Sequence, residues 1–485
     1  MNRPDRRSRR RRGFRFAAAL GLALSLPVAA APPVDKATLD AGLDAIVAGE
    51  VAGSPELAGL QVLVLGGGEV AYEYAGGFAR LVGADRVPMG PEHRMRVASI
   101  SKLVVALGLM RLVEAGIVDL DADVSGYLGF VLRNPNFPED AITLRMLLSH
   151  TSSIRDGGYY WLEAGERFAD FFMPGRPHYE DGAHFASGPG RQPGVWFTYA
   201  NLNFGVVAAV IERASRMRFD QYIRRELLQP LGLEARFNVC DLSAVHPEHI
   251  ATLYRKRTDD EIWQPGGDWV AQLDDTAFAC HYGRAPVPRG APPGDILPGY
   301  VPGTNPTLFS PQGGLRASAR DLAVIARMLL ADGFGGGGRF GGVRILDATS
   351  VRAMRQPQWV YDAGHPNGDT GEGPASQDAA QRPLFTRWGL SMQLVDLADW
   401  GLTAEPRPLA GHLGEAYGLL GQFWLDFETG DGLIALISGA ADDPDRHPGQ
   451  TPLYRPSEEI MRWWLQHFPR GAPRPRPDPP AAKEE

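Results

Sequence analysis

Two residues draw chemical attention, Ser99 and Lys102. Of the chain's 49 lysines and arginines, only Lys36, Lys102, Lys256 and Lys483 are lysine. Arginine keeps its proton in a protein, whereas a desolvated lysine can give one up. Lys102 stands three residues after Ser99, and the run that follows, Leu103 to Val113, is apolar and helix-like. A Ser and a Lys at i and i+3 on a helix share one face, so an amine would lie beside a hydroxyl that it can help activate as a nucleophile. Ser-x-x-Lys alone is a weak motif. A composition that exchanges lysine for arginine also leaves an isolated surface lysine by chance.

Positioning such a pair requires a scaffold, and the periodicities outline one. Val34 to Val51 reads as an amphipathic helix, and Leu60–Leu65 and Val70–Tyr74 as a hairpin joined by Gly66-Gly67-Gly68. The helix after Ser99 ends at Gly116, a good C-terminal cap. Phe204 to Arg213 and Phe219 to Leu228 show helical spacing. Ser318-Ala319-Arg320-Asp321 reads as a capping box ahead of Leu322 to Leu330. Strand signals return at Gly389–Val395, Leu419–Phe427 and Leu433–Ser438, before a closing helix over Ser457–Phe468. Strands at both ends with helices between predict an α+β fold: one antiparallel sheet built from the two chain ends and flanked by helices, plus a mainly helical region. Residues 234–310, rich in Pro, Gly and Asp, read as an elaborated loop region, and 469–485 as a disordered tail.

The N-terminus reads as an export signal over residues 1–31. Arg3 to Arg15 form a basic stretch, Phe16 to Val28 a short apolar core, and Ala29-Ala30-Ala31 a small-residue cleavage site. Arg11-Arg12-Gly13-Phe14 also fits a twin-arginine pattern. The expected location is periplasmic or secreted, with no stable membrane span once the signal is removed. That segment carries eight arginines and one aspartate, so the net charge moves from −8 for the whole chain to −15 without it. A chain this acidic is a poor nucleic-acid binder. Cys240 and Cys280, the two cysteines, are expected to form one disulfide in an exported protein. No metal signature is found: Pro247 interrupts the close pair His246 and His249.

Two further motifs follow in chain order: Tyr199-Ala200-Asn201, opening the Phe204 helix, and His412-Leu413-Gly414, just before the late strands. Ser-x-x-Lys, then Tyr-x-Asn, then Lys/His-x-Gly is the pattern of the penicillin-recognising serine hydrolases. That group includes class C β-lactamases, D,D-peptidases, D-aminopeptidases and related esterases. Residues of roughly 40–465 resemble it. The flanks Arg96-Val97-Ala98, Leu147-Leu148-Ser149-His150-Thr151-Ser152 and Ser310-Pro311-Gln312-Gly313-Gly314-Leu315 are similar too. The resemblance implies a β-lactamase/transpeptidase-like domain over 32–468.

The resemblance assigns Ser99 as the nucleophile, acylated by an amide or ester carbonyl, with Lys102 and Tyr199 as alternative bases. Asn201 would hydrogen-bond Lys102 and a substrate amide. His412 would orient Tyr199 or contact a substrate carboxylate, carrying full charge only below about pH 6.5. Gly414 would let substrate backbone approach, and the backbone N–H groups of Ser99 and Glu415 would form the oxyanion hole. The Glu415 side chain either discourages substrates with a carboxylate near the scissile bond or points to solvent. His150 is expected to brace a loop, and Tyr159, Tyr160 and Trp161 to line a pocket or to be ordinary core. No cofactor is implied. Substrates would be D-amino-acid peptides or amides, small esters, or peptidoglycan-derived material. A class C-like β-lactamase and a non-catalytic cell-wall-binding or sensor protein are the alternatives.

Overall fold

The computed structural model describes residues 35–471 apart from 83–84, 238–246, 258–260, 275–278, 283–284, 289–296, 298, 336–341 and 372–382. The expected signal peptide, the proposed partner Cys240 and the side chain of Cys280 lie outside the described residues.

Gly59–Gly66 (β1) alternates no polar face: all eight residues are buried. A strand buried on both sides has to be central, and β1 pairs antiparallel with Glu69–Val82 (β2) and with a strand from the far end of the chain. The hairpin turns through Gly67 and Gly68, both at positive φ, a conformation glycine adopts without a Cβ penalty. Asp85–Pro88 (β3) continues beyond β2. The late chain supplies Trp359–Val360 (β4), Arg387–Trp388 (β5), Gln393–Asp396 (β6), Pro408–Ala416 (β7), Leu419–Asp426 (β8) and Asp431–Ile437 (β9). The order is β4-β5-β6-β7-β8-β9-β1-β2-β3, every pairing antiparallel. The sheet is thus assembled from both chain ends.

Each face of the sheet buries its own core. Leu63, Leu65, Phe423, Leu425, Ile434 and Leu436 pack against Ile100–Glu114 (α2), Leu202–Ser215 (α3) and Ala319–Leu330 (α4). Leu60, Val62, Val64, Trp424, Leu433 and Ala435 pack against Lys36–Val47 (α1) and Arg455–His467 (α5). The period-two alternation of strand side chains divides the residues between these layers. The capping box at α4 forms as expected from Ser318 and Asp321.

The structure departs from the sequence expectations at five places. The strand expected over Gly389–Val395 is instead a turn, 389–392, between β5 and β6, with strand only from Gln393. His412 lies inside a nine-residue strand rather than ahead of the strands. Helix Phe219–Ile223 passes into a π turn at Arg224–Leu228. The 234–310 region contains short two-stranded ribbons, Leu253–Arg255 with Val270–Leu273 and Ala279–Tyr282 with Ala285–Pro288. Arg470, in the stretch expected to be disordered, donates to buried Asp426 at 2.9 Å, anchoring the chain just past α5.

Candidate active site

Ser99 sits where a short extended segment turns into α2. Met95–Arg96 pairs antiparallel with Arg316–Ala317, and the Val97 N–H donates to Leu315 O at 2.9 Å. Ala98 then adopts φ 44°, a left-handed conformation that is strained for a residue with a Cβ. The reversal carries Ser99 to the N-terminal end of α2, the positive end of the helix dipole. From Ile100 to Met110 every residue of α2 is buried, so the helix is clamped on all sides and its first turn is held rigidly.

Lys102 is fully buried. Its Nζ lies 2.8 Å from Ser99 Oγ, 2.7 Å from Asn201 Oδ1 and 3.0 Å from Gln312 O. An ammonium has three N–H donors, and three acceptors surround this one. Nζ also lies 4.8 Å from the centroid of the Tyr199 ring and 5.6 Å from that of Phe204, contacts that favour a cation. Three segments distant in sequence, carrying Ser99 with Lys102, Tyr199 to Phe204, and Gln312, therefore converge on one amine. Gln312 comes from the Gly-Gly-Leu flank noted in the sequence, although its carbonyl was not assigned a role there.

Tyr199 stands in an aromatic wall. His150 stacks on it at 4.4 Å between ring centroids, Phe385 stacks at 5.5 Å on a tilt of 15°, and Trp388 meets it edge-on at 5.8 Å. His150 Nδ1 accepts from the Ala200 N–H at 3.1 Å, and His150 O accepts from the Thr198 N–H at 2.9 Å. His150 thus braces the Tyr199 turn. Burial, and then the Lys102 charge, hold its pKa well below the usual histidine value.

His412 packs edge-on against Trp388 at 5.4 Å, with its ring 6.3 Å from that of Tyr199. Its Nδ1–H donates to Leu413 O at 2.6 Å, which leaves Nε2 as an acceptor with no donor among the described residues. Burial, joined by the Lys102 charge, lowers its pKa to about 3. The sequence reading gave this residue full charge below about pH 6.5. Desolvation removes that charge, so His412 offers a neutral acceptor rather than an ionic partner for a carboxylate.

His412 and Gly414 lie on the face of β7 that looks toward α2, and Leu413 and Glu415 on the other, because strand side chains alternate. A Cβ on Gly414 would come within 2.5 Å of Val97 O. Glycine is thus required there by the turn before Ser99, a different reason from the approach of substrate. Glu415 projects away from Ser99. Its exposed side chain lines a separate cavity of about 260 Å³ with Arg255, Arg257, Asp443, Asp445 and Tyr454. Beyond Gly411, β7 pairs with β8 alone, since its pairing with β6 covers Pro408 to Gly411. Among the described residues, the strand edge from His412 onward therefore has no strand partner on the β6 side.

Tyr159 binds His178 Nδ1 through its hydroxyl and packs on Phe171 and Trp161, so it braces its own loop. Tyr160 and Trp161 are half-buried. The sequence reading missed Asp156, which accepts from Asn201 Nδ2 at 2.9 Å and from the Leu202 N–H at 2.8 Å. Its pKa is raised by burial, against which the two donors and the Lys102 charge act. Asp156 lies four residues past the Leu-Leu-Ser-His-Thr-Ser flank, the one signal that pointed toward it. Among the described residues no cluster of His, Cys, Asp and Glu could hold a metal ion, and no helix is long and apolar enough to cross a membrane.

Comparison with known proteins places these features in a lineage. The beta-lactamase family model matches residues 43–451. Esterase EstB of Burkholderia gladioli is 32% identical over 261 residues, covering 49% of this chain and 62% of the esterase. A penicillin-binding protein of Bacillus subtilis is 28% identical over 203 residues, covering 40% of this chain and 41% of that protein. The matched segments thus span less than two thirds of either relative. Among solved structures, the octameric penicillin-binding protein homologue from Pyrococcus abyssi superposes with a TM-score of 0.57 at 20% identity, over 85% of this chain and 75% of that one. D-amino acid amidase from Ochrobactrum anthropi gives 0.55 at 19%, over 89% and 98%. These likenesses carry the fold, and the family match spans most of the chain: it belongs to the beta-lactamase family.

Proposed function

We propose that the chain is a serine hydrolase that forms an acyl-enzyme at Ser99 from an amide or ester and releases the acyl group to water. The observation that carries this is the buried Lys102 amine 2.8 Å from the Ser99 hydroxyl. Asn201 Oδ1 and Gln312 O engage two N–H groups of that amine, and the third position faces Ser99. Loss of one proton from Lys102 converts that position from N–H to lone pair, and so from donor to acceptor toward Ser99. In acylation the Ser99 Oγ–carbon bond forms, the bond to the leaving group breaks, and the serine proton passes through Lys102 or Tyr199 to the departing amine or alcohol. Water then attacks the ester carbon, its hydroxyl joins the acyl group as the Oγ–carbon bond breaks, and its other proton passes through Lys102 or Tyr199 to Ser99 Oγ.

The N–H groups of Ser99 and Glu415 fit the oxyanion role: one lies at the start of α2, the other on the stretch of β7 that, among the described residues, has no strand partner toward β6. Neutral His412 favours uncharged or amide-bearing substrates over recognition of a carboxylate by ion pairing. The esterase and D-amino acid amidase among the similar proteins support small esters and D-amino-acid amides as substrates. Export is proposed from the basic and apolar stretches of residues 1–31. Steady-state assays with p-nitrophenyl acetate, D-phenylalanine amide and a chromogenic cephalosporin test this reading. Ester or amide turnover abolished by Ser99→Ala is expected. Cephalosporin turnover alone would convert the reading to a β-lactamase, and no Ser99-dependent reaction with any substrate would favour a non-catalytic binding protein.

A further inference from the structure

Asn201 occupies the N-cap position of α3, yet its side chain makes no capping bond. A helix start leaves its first N–H groups without intrahelical partners. One of these, on Leu202, is taken instead by Asp156 Oδ1, 46 residues away in sequence. Asp156 Oδ2 takes the Asn201 Nδ2–H at the same time. The Asn201 amide is thereby committed at its nitrogen end, and only its oxygen end remains to meet Lys102 at 2.7 Å.

From this geometry we infer that Asp156 is a positioning residue: its carboxylate fixes which end of the Asn201 amide faces Lys102, and through it the donor pattern of the amine toward Ser99. This deepens the serine-hydrolase reading and rests on it. An asparagine amide presents an acceptor at one end and two donors at the other. A flipped Asn201 would point N–H groups at an ammonium, and Lys102 would lose one of its acceptors. The titratable groups facing this chain are Lys102 from α2, Tyr199 from the turn before α3, His150 from the loop behind it and His412 from β7. His184 backs the Asp156 loop, with Nδ1 3.1 Å from the Asp156 carbonyl. Asp156 touches neither Ser99 nor the reacting carbonyl, so its effect travels through Asn201.

The test is the rate of fluorophosphonate labelling of Ser99 as a function of pH, in full-length wild type, Asp156→Asn and Asp156→Asn/Asn201→Asp. In the single variant the introduced amide retains an acceptor for Leu202 but sets a donor against Asn201 Nδ2, which drives the flip. Labelling is expected to fall by about 10²-fold, the scale of a small misplacement at a reacting centre. Removing a negative charge near Lys102 also disfavours the ammonium, so the limb of the pH profile governed by the amine is expected to move to lower pH. The double variant restores the donor and acceptor order with the carboxylate moved one link along the chain, and it is expected to recover about tenfold or more of the loss. If the single variant does not fold, recovery in the folded double variant carries the test. Wild-type labelling rate and pH profile in Asp156→Asn, or a folded double variant without recovery, would overturn the inference. A wild type that does not label at Ser99 would remove the hydrolase reading itself.

Discussion

The two walls around Ser99 are built on opposite principles. On one side Lys102 is gripped by hydrogen bonds to Ser99, Asn201 and the Gln312 carbonyl, with Asp156 behind Asn201. On the other, Tyr199, His150, His412, Trp388 and Phe385 are held chiefly by ring packing. The polar wall fixes where protons sit. The aromatic wall excludes water, and in doing so it keeps both histidines neutral and strengthens every electrostatic interaction beside them. A defect in the first should therefore cost rate, and one in the second should alter shape, stability and pH response.

The largest effect is expected at the polar wall. Lys102→Arg keeps the charge but removes the transferable proton, and its burial leaves the larger fork little room. Acylation is expected to fall by about 10³-fold, within the range for general acid–base groups, while circular dichroism shows the fold retained. Wild-type rates in that variant would exclude Lys102 from the machinery. Tyr199→Phe probes the boundary between the walls, because it preserves the stacking on His150 and Phe385 while deleting the hydroxyl. A loss of about 10²-fold in kcat/KM with little change in melting temperature assigns the hydroxyl to chemistry. Unchanged kinetics would assign Tyr199 to shape alone.

Smaller effects should appear as stability. Gly414→Ala places a methyl 2.5 Å from Val97 O, and a loss of about 1–3 kcal/mol is expected in denaturant unfolding. The pH response of the aromatic wall comes next. His412 has its folded pKa lowered to about 3, so between that value and its unfolded value near 6.5 the unfolded chain binds the extra proton. Stability is then fully present above about pH 6.5 and falls as the pH drops toward about 3. From pH 7 to 5.5 this histidine contributes a loss of about 1 kcal/mol, and His150 acts in the same direction. His412→Gln should flatten the slope of stability against pH, and an unchanged slope would contradict the burial argument. Least affected should be Glu415→Gln, whose side chain lies across the sheet from Ser99. Stability within about 0.5 kcal/mol of wild type is expected, with kcat/KM unchanged.

How much of this was legible in the chain depended on whether the constraint was local. The Ser99–Lys102 spacing, the Gly67-Gly68 hairpin and the Ser318–Asp321 capping box each lie within a few residues, and each forms as read. The strand Pro408–Ala416 is not marked by the sequence pattern, because Pro408, Gly411 and Gly414 interrupt any run of strand-forming residues there. Its glycines answer to neighbours far away in sequence: a Cβ on Gly411 would meet Phe423 O at 1.8 Å, and one on Gly414 the turn before Ser99. Asp156 escaped notice for the same reason. It lies in an irregular loop with no period of its own, and its partners are 45 and 46 residues away. The neutrality of His412 follows from burial against rings of two distant segments, Tyr199 and Trp388, which no local pattern encodes.

The most direct measurement is intact-protein mass spectrometry after exposure to a fluorophosphonate, with wild type, Ser99→Ala and Lys102→Arg treated side by side. A single adduct mapping to Ser99 in wild type, absent from Ser99→Ala and formed about 10³-fold more slowly in Lys102→Arg, is the expected result. An adduct that persists in Ser99→Ala, or that forms at the wild-type rate without the lysine, would contradict the claim that this buried amine activates this hydroxyl.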